Sequence, residues 1–396
     1  MLSEKSTAVV RATLPAIGAA IGDITPVFYR RMFAAHPELL RDLFNRGNQA
    51  NGTQSRALAG SIAVFATMLL EHPDRRPDAL LARIAHKHAS LGITADQYTV
   101  VHRHLFDAIA EVLGEAVTPE VAEAWDEVYW LMAGALIAME ARLYAASGVG
   151  DGDVWRPWKV VGRLEETAEV ATFMLRPADS GPVPPFRPGQ YVSVQVTLPD
   201  GARQIRQYSL SCAPGGDDRW ISVKRVCGDP AGEVSNWLHE NVREGDVLTV
   251  GAPFGDVALD DGDGPVLLAS AGIGCTPMVS MLAHLAATGS PRRVTVVHGD
   301  RAESSHAFRE QMELLTAKLP DAALHVWYER PEGEWPAGRT GLVDLSDVEI
   351  PEGSRAYLCG PVPFMRSVRT RLLERGIPAS RIHYESFGPD LGLDAD

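Results

Sequence analysis

The chain has 396 residues and a formal net charge of −14. That length predicts two or three domains. The charge repels phosphate at long range, which argues against a general nucleic-acid or anionic-membrane role and leaves room only for a local basic pocket. Glu4, Lys5 and Arg11 interrupt any apolar run at the N-terminus, so no signal peptide is read there. No stretch of about 20 apolar residues predicts a membrane span. The four cysteines (Cys212, Cys227, Cys275, Cys359) are scattered, with no Cys-x-x-Cys pair. They suit reduced thiols, not a disulfide framework or zinc site, and a cytoplasmic location is expected.

Residues 1–148 read as all helix. Trp125, Tyr129, Met132, Leu136, Met139 and Leu143 recur at spacings of four and three, as do Leu58, Ile62, Phe65 and Leu69. Thr94 and Gln97 form a capping-box pattern, after which Tyr98, Val101, Leu105 and Ile109 run down one face. The polar residues on these apolar faces carry the information. Tyr29 lies four before Phe33, Gln54 four before Leu58, Glu140 four after Leu136, and His88 four after Ile84. Each alone is an ordinary core or edge residue. Together, phenols, an amide, an imidazole and a carboxylate inside a helical core are costly unless they pair or ligate something. His86 and His88 point roughly 200° apart on a helix, so only one can face a pocket, and the stripe favours His88.

Phe28-Tyr29-Arg30-Arg31-Met32-Phe33, Pro37-Glu38-Leu39, Leu43-Phe44-Asn45, Asn48-Gln49-x-Asn51-Gly52-x-Gln54 and Ile84-Ala85-x-Lys87-His88 resemble the globin domain of the flavohaemoglobins. The resemblance covers essentially the whole chain. It implies His88 as proximal haem ligand, held by Tyr98 and Glu140. It also implies Tyr29 and Gln54 on the distal side, Phe44 against the porphyrin and Leu58 closing the pocket. A proximal imidazole bonded towards a carboxylate gains electron-donating character, and a distal phenol can stabilise charge developing on dioxygen.

A linker at Gly148–Asp153 leads into residues 153–260. Here short alternating runs (172–176, 191–197, 220–225, 247–250) predict an antiparallel barrel. Arg206-Gln207-Tyr208-Ser209 puts a guanidinium, an amide, a phenol and a hydroxyl on one extended segment, which suits a flat ring carrying a pyrophosphate. With Tyr191 upstream and Gly232-Glu233-Val234-Ser235 downstream, it resembles the flavin domain of the ferredoxin–NADP reductase superfamily, and FAD is implied. Ser235 is read as the cap of a helix whose N-terminus faces the pyrophosphate.

Residues 263–396 alternate strand and helix, which predicts a Rossmann-like parallel sheet for NAD(P). The turn Ser270-Ala271-Gly272-Ile273-Gly274-Cys275-Thr276-Pro277 lets backbone approach a phosphate, with Thr276 read as helix cap. Cys359-Gly360-Pro361 matches the superfamily's nicotinamide edge. Glu385-Ser386-Phe387-Gly388-Pro389 resembles the segment over the flavin, with Phe387 covering the ring and Ser386 where relatives often carry Cys. Lys87 and Glu385 are implied to meet at the haem–flavin boundary. Asp300-Arg301 gives contrary signals on a 2′-phosphate, with NADH slightly favoured over NADPH.

The expected architecture is multi-domain: an all-α globin (1–148), an antiparallel β-barrel FAD domain (153–260) and an α/β NAD(P) domain (263–396). The implied cofactors are haem b, FAD and NAD(P)H. The implied function is conversion of nitric oxide and dioxygen to nitrate, by a protein expected to be a monomer. The alternatives are a reductase acting mainly on dioxygen, hydroperoxides or other acceptors, and a non-enzymatic gas carrier or sensor.

Overall fold

The structure is a computed structural model that describes residues 2–388, apart from 51, 75, 76 and 180 and apart from the side chains of 50, 53–57, 59 and 79. The chain divides into two compact units, the first built mainly from Met1–Trp155 and the second mainly from Arg156–Gly388.

The first unit is helical. Its elements are α1 (Glu4–Ala35), α2 (Pro37–Asp42), α3 (Arg46–Ala50), α4 (Thr53–Glu71), α5 (Asp78–Leu91), α6 (Ala95–Leu113) and α7 (Pro119–Ser147). Local chemistry sets their ends. The Ser3 hydroxyl accepts the Ser6 N–H at 3.2 Å and starts α1. The Thr94–Gln97 capping box forms, with the Thr94 N–H donating to Gln97 Oε1 at 2.9 Å. Thr118 caps α7 and Pro119 fills its first turn. Gly92 (φ 74°) and Gly148 (φ 68°) close α5 and α7 in the left-handed region, where only glycine is unstrained.

By length and composition α1 could cross a membrane, although no apolar run long enough was expected from the sequence. Its apolar residues Val10, Ile17, Ile24, Phe28 and Met32 are all buried in the helical core, while Arg11, Asp23 and Arg30 are exposed. Each such side chain withdrawn from water contributes about 1.5–3 kcal/mol. On α7 the buried face runs through Trp125, Val128, Leu136, Glu140 and Tyr144. It is rotated from the expected stripe, on which Met132, Met139 and Leu143 are only half-buried. The rotation follows from satisfied polar groups: the Tyr144 hydroxyl donates to the Ile93 carbonyl at 2.7 Å, so a phenol can occupy the core.

The second unit carries two sheets. The first contains β1 (Trp155–Thr167), β2 (Val170–Pro177), β3 (Tyr191–Thr197), β4 (Arg203–Ser209), β5 (Arg219–Lys224) and β6 (Val247–Gly251), in the order β4-β3-β6-β1-β2-β5. An antiparallel bridge between Leu210 and Ile221 joins its two edges into a barrel. The sequence pattern gives no strand over β1, because bulges at Val161 and Glu166 break its alternation. Helix α8 (Glu233–Asn241) lies between β5 and β6 in the chain.

The second sheet is parallel: β7 (Val266–Ala271), β8 (Val294–Asp300), β9 (Ala322–Tyr328), β10 (Arg355–Cys359) and β11 (Ile382–Glu385), in the order β11-β10-β7-β8-β9. Helices α9 (Cys275–Ala287), α10 (Arg309–Ala317) and α11 (Val362–Glu374) connect them. The strand order reverses between β7 and β10. That reversal opens a crevice at the carboxyl ends, where such sheets bind ligands.

Candidate functional site

Three groups of residues carry chemistry. In the helical unit, α5, α6 and α7 bring together the residues singled out on their apolar faces. His88 Nδ1 lies 2.9 Å from Glu140 Oε1 and 2.9 Å from the Tyr98 hydroxyl. Tyr98 donates to the same Oε1 at 2.6 Å. Glu140 is 3% exposed and Tyr98 7% exposed. Burial first, and the Glu140 charge second, push the Tyr98 phenol well above its ordinary range, so it stays protonated and donates. The Tyr129 hydroxyl in turn donates to the Tyr98 carbonyl at 2.6 Å. On the predicted apolar stripe Tyr129 is one packing residue among six. The signal available was a phenol on a buried face, which needs a partner.

This geometry occupies Nδ1 and leaves Nε2 available to ligate a metal, with the tautomer set by the carboxylate. Among the described residues no cluster of three or more His, Cys, Asp or Glu could hold a bare metal ion. A single oriented imidazole therefore fits a metal whose other ligands come with it, as in a porphyrin. Tyr29 is 6% exposed, stacked on Phe33 at 5.5 Å and edge-on to Phe44 at 5.9 Å. Leu58 joins the same apolar cluster. The Gln54 side chain lies outside the described residues. Lys87 is exposed on α5.

The second group lies on the barrel. Tyr191 is buried and exchanges backbone hydrogen bonds with Phe254 at 2.8 and 2.9 Å. Arg206 and Tyr208 share one side of β4, both half-buried, and the Gln207 amide donates to Ser193 Oγ at 2.9 Å. Ser209 is 3% exposed, and its hydroxyl is a buried polar atom with no partner among the described residues. An orphaned hydroxyl costs stability unless a ligand satisfies it, so this one fits a polar ring edge such as that of a flavin. Ser235 does not cap α8. Gly232 is the N-cap, and the Ser235 hydroxyl lies inside the first turn, accepting the Val226 N–H at 3.3 Å. A Cβ on Gly232 would fall 2.5 Å from Ser235 Oγ and 2.8 Å from Val226 Cβ, so glycine is needed for that close approach. Val234 is buried beside it.

The third group lies at the crevice between β7 and β10. Gly272 has φ 53°. A Cβ on Gly274 would land 2.3 Å from the Cys359 carbonyl oxygen, so the turn and the end of β10 touch backbone to backbone. Ala271, Gly272 and Ile273 line this turn half-buried, and Gly360 and Pro361 continue the facing edge. Thr276 is not the cap of α9, because a 3-10 turn at Gly272–Gly274 starts the helix earlier. Gly274 takes the cap position, and the Thr276 hydroxyl donates to the Ile273 carbonyl at 3.1 Å. The Ser270 side chain pairs in the core with His298 Nδ1 at 2.9 Å, so Ser270 offers a ligand only its backbone. Cys275 and Cys359 are fully buried, and burial pushes both thiols up, so neither is a reactive thiolate. Glu385 and Ser386 are half-buried, and Phe387 is 52% exposed, a large ring with surface to offer. Gly388 ends the described segment, and Pro389 lies outside it.

Residues 27–136 match the globin family, and residues 268–370 match the oxidoreductase NAD-binding domain family. The chain is 47% identical to a flavohaemoprotein of Bordetella pertussis over 98% of its own length and 99% of the relative's. It is 43% identical to a flavohaemoprotein of Rhizobium meliloti, with 99% of both covered. Among solved structures, the flavohaemoglobin of Malassezia yamatoensis with bound FAD and haem superposes with a TM-score of 0.90 at 40% identity, covering 98% of this chain and 100% of that one. The FAD/NAD-binding domain of a Vibrio cholerae nitric oxide dioxygenase is also 40% identical, over 59% of this chain and 99% of that one, with a TM-score of 0.55.

Proposed function

The chain belongs to the flavohaemoproteins, and on that footing we propose that it is a nitric oxide dioxygenase driven by a reduced nicotinamide. In this reading residues 1–148 hold haem b, residues 153–260 hold FAD, and residues 263–396 hold NAD(P)H. Bound together, these groups would supply the redox chemistry for conversion of two NO and two O2 to two nitrate ions: two electrons per reduced nicotinamide, made available one at a time.

The protein's part is positioning. His88 presents Nε2, while Glu140 and Tyr98 fix its ring and make it more electron-donating through Nδ1. Tyr29 and Gln54 donate hydrogen bonds to the gaseous ligand, and Phe44 and Leu58 keep water out. Tyr191, Arg206, Gln207, Tyr208 and Ser209 hold the flavin, and Gly232, Val234 and Ser235 bring the start of α8 to its pyrophosphate. Ser270 to Thr276 and Cys359 to Pro361 hold the nicotinamide nucleotide at the strand-order reversal. Glu385 to Pro389 cover the flavin, and Lys87 with Glu385 tunes electron passage.

The observation that carries the reading is the half-buried His88 held by buried Tyr98 and Glu140, in a chain that also bears the nicotinamide-type crevice. The test is nitric oxide consumption in air by the purified holoprotein, with nitrate quantified. We expect NADH-dependent consumption that yields one nitrate per NO, slowed by Tyr29→Phe with flavin reduction unchanged. NO consumption no faster with NADH than without it would refute the proposal. Nicotinamide oxidation indifferent to NO would point instead to a reductase of dioxygen or hydroperoxides.

A further inference from the structure

Asp300 ends β8 and Arg301 follows it, at the place where a Rossmann-like unit reads the 2′ position of the adenosine ribose. An acid there suits a hydroxyl and a base suits a phosphate. The structure withdraws both. Asp300 is buried: Oδ1 accepts the Arg301 N–H at 2.7 Å and the Ser305 hydroxyl at 2.6 Å, and Oδ2 lies 3.5 Å from His298 Nε2. The carboxylate therefore holds the loop after β8 and is not presented to a ribose. Arg301 is half-exposed, but its Nη2 lies 2.7 Å from Oε2 of Glu169. Glu169 stands in the turn between β1 and β2, and the same oxygen draws Lys224 Nζ to 3.6 Å. The turn is firm, since the Glu169 N–H donates to Thr167 Oγ1 at 3.2 Å and its carbonyl accepts the Arg225 N–H at 2.7 Å. Thus one anion, fixed by its own backbone, stands on two cations beside the ribose-reading position.

We infer that Glu169 is a specificity-determining residue: by pairing with Arg301 it masks a latent 2′-phosphate site and makes the reductase selective for NADH over NADPH. This rests on the nicotinamide reading above. A 2′-phosphate reaching Arg301 must either displace Glu169 or sit beside it. The first loses an existing ion pair and the second sets like charges together. An exposed pair alone gives a factor of about five at most. With the repulsion removed as well, unmasking Arg301 is worth roughly tenfold.

The test uses the holoprotein and stopped-flow flavin reduction by NADH and by NADPH, with 2′,5′-ADP as competitor of NADH. We expect Glu169→Gln to raise the NADPH-to-NADH ratio of second-order rate constants about tenfold, the gain lying in the NADPH arm, and to tighten 2′,5′-ADP inhibition by a similar factor. Adding Arg301→Gln to Glu169→Gln should cancel both gains. A ratio that changes less than about twofold in Glu169→Gln overturns the inference, since the pair is then weaker than an ordinary surface ion pair. So does a gain that survives Arg301→Gln, because the effect is then general charge and not this site. If neither nicotinamide reduces the flavin, the proposed function itself fails and the inference falls with it. If both do and only the ratio is unmoved, the inference alone fails.

Discussion

Replacing Glu140 with Gln keeps the size of the side chain at the centre of the helical site and removes its charge. Two hydrogen bonds converge on Glu140 Oε1, from Tyr98 at 2.6 Å and from His88 Nδ1 at 2.9 Å. Only the second reaches the His88 ring. A bond to a charged acceptor is worth about 1.5–3 kcal/mol and a neutral one about 0.5–1.5, so the exchange weakens it by roughly 1–1.5 kcal/mol. The anion favours the more positively charged oxidation state of whatever metal His88 holds. Its loss therefore raises the ferric/ferrous midpoint, by about 60 mV for a one-electron couple. The assay is spectroelectrochemical titration of the haem-loaded protein. Tyr98→Phe is the comparator, because it leaves the His88–Glu140 bond in place and should shift the midpoint by less. A Glu140→Gln midpoint that moves by under about 15 mV, or downward, refutes the reasoning. A larger shift in Tyr98→Phe than in Glu140→Gln would transfer the role to the phenol.

Further expected outcomes follow from single contacts. Ser209→Ala should leave the stability of flavin-free protein unchanged, since the hydroxyl has no partner there, and weaken FAD binding by about tenfold; a stability loss without FAD, in urea unfolding, would show that the hydroxyl serves the fold. Ser270→Ala should do the reverse. It leaves buried His298 Nδ1 unpaired, costing about 1–3 kcal/mol, while NADH reduces the flavin as before; a large loss in nicotinamide affinity would contradict the backbone-only role. Gly274→Ala forces a methyl onto the Cys359 carbonyl, 2.3 Å away, and should cost about 1–3 kcal/mol and slow flavin reduction at least tenfold; wild-type rates would mean the two edges part freely. Asp260→Asn leaves nearly buried Arg292, 3.0 Å from its partner, without a counter-charge and should cost about 2–3 kcal/mol. Burial alone would raise the Asp260 carboxyl, but Arg292, Arg355 and Tyr357 outweigh it and hold it below its ordinary value. That contribution is complete above the unfolded value of about 3.9 and is lost as pH falls through the lower folded value. The variant should therefore show a flatter acid limb in pH-dependent unfolding, and an unchanged limb would remove Asp260 from the argument.

The His88–Tyr98–Glu140 cluster was legible because a period of 3.6 converts sequence into faces. His88, Tyr98 and Glu140 each stood where an apolar residue was due, and the structure brings all three to one point. The parallel sheet was legible for a related reason: buried strands read as short apolar runs between turn residues. Helix starts were less legible. Ser235 and Thr276 look like caps, yet Gly232 and Gly274 hold that place, because a tight glycine turn can begin a helix without a side-chain acceptor. Arg301 illustrates a different limit. Its partner Glu169 lies 132 residues away in the chain, and no local pattern announces a contact that the packing of two sheets creates. Asp300 failed as a guide for a different reason: its partners are near in sequence, but only the fold of the loop after β8 turns the Ser305 hydroxyl and the His298 ring onto its carboxylate.

A residue's type therefore predicts its function less well than the count of its bonding atoms left over after folding. Ser209 and Ser270 are both buried serines near the ends of strands. The first has a spare hydroxyl and the second has none. His88 follows the same rule within one ring: Nδ1 is occupied by Glu140 and Tyr98, and what remains is a single nitrogen with a fixed direction. Fixing a group through all but one of its atoms reduces the entropy lost when a ligand arrives at the last one. That economy requires the holding partners to be buried and fully bonded themselves, as Tyr98 is through its hydroxyl to Glu140 and through its carbonyl to Tyr129. Changes in that supporting layer should therefore alter ligand affinity and potential before they alter the fold.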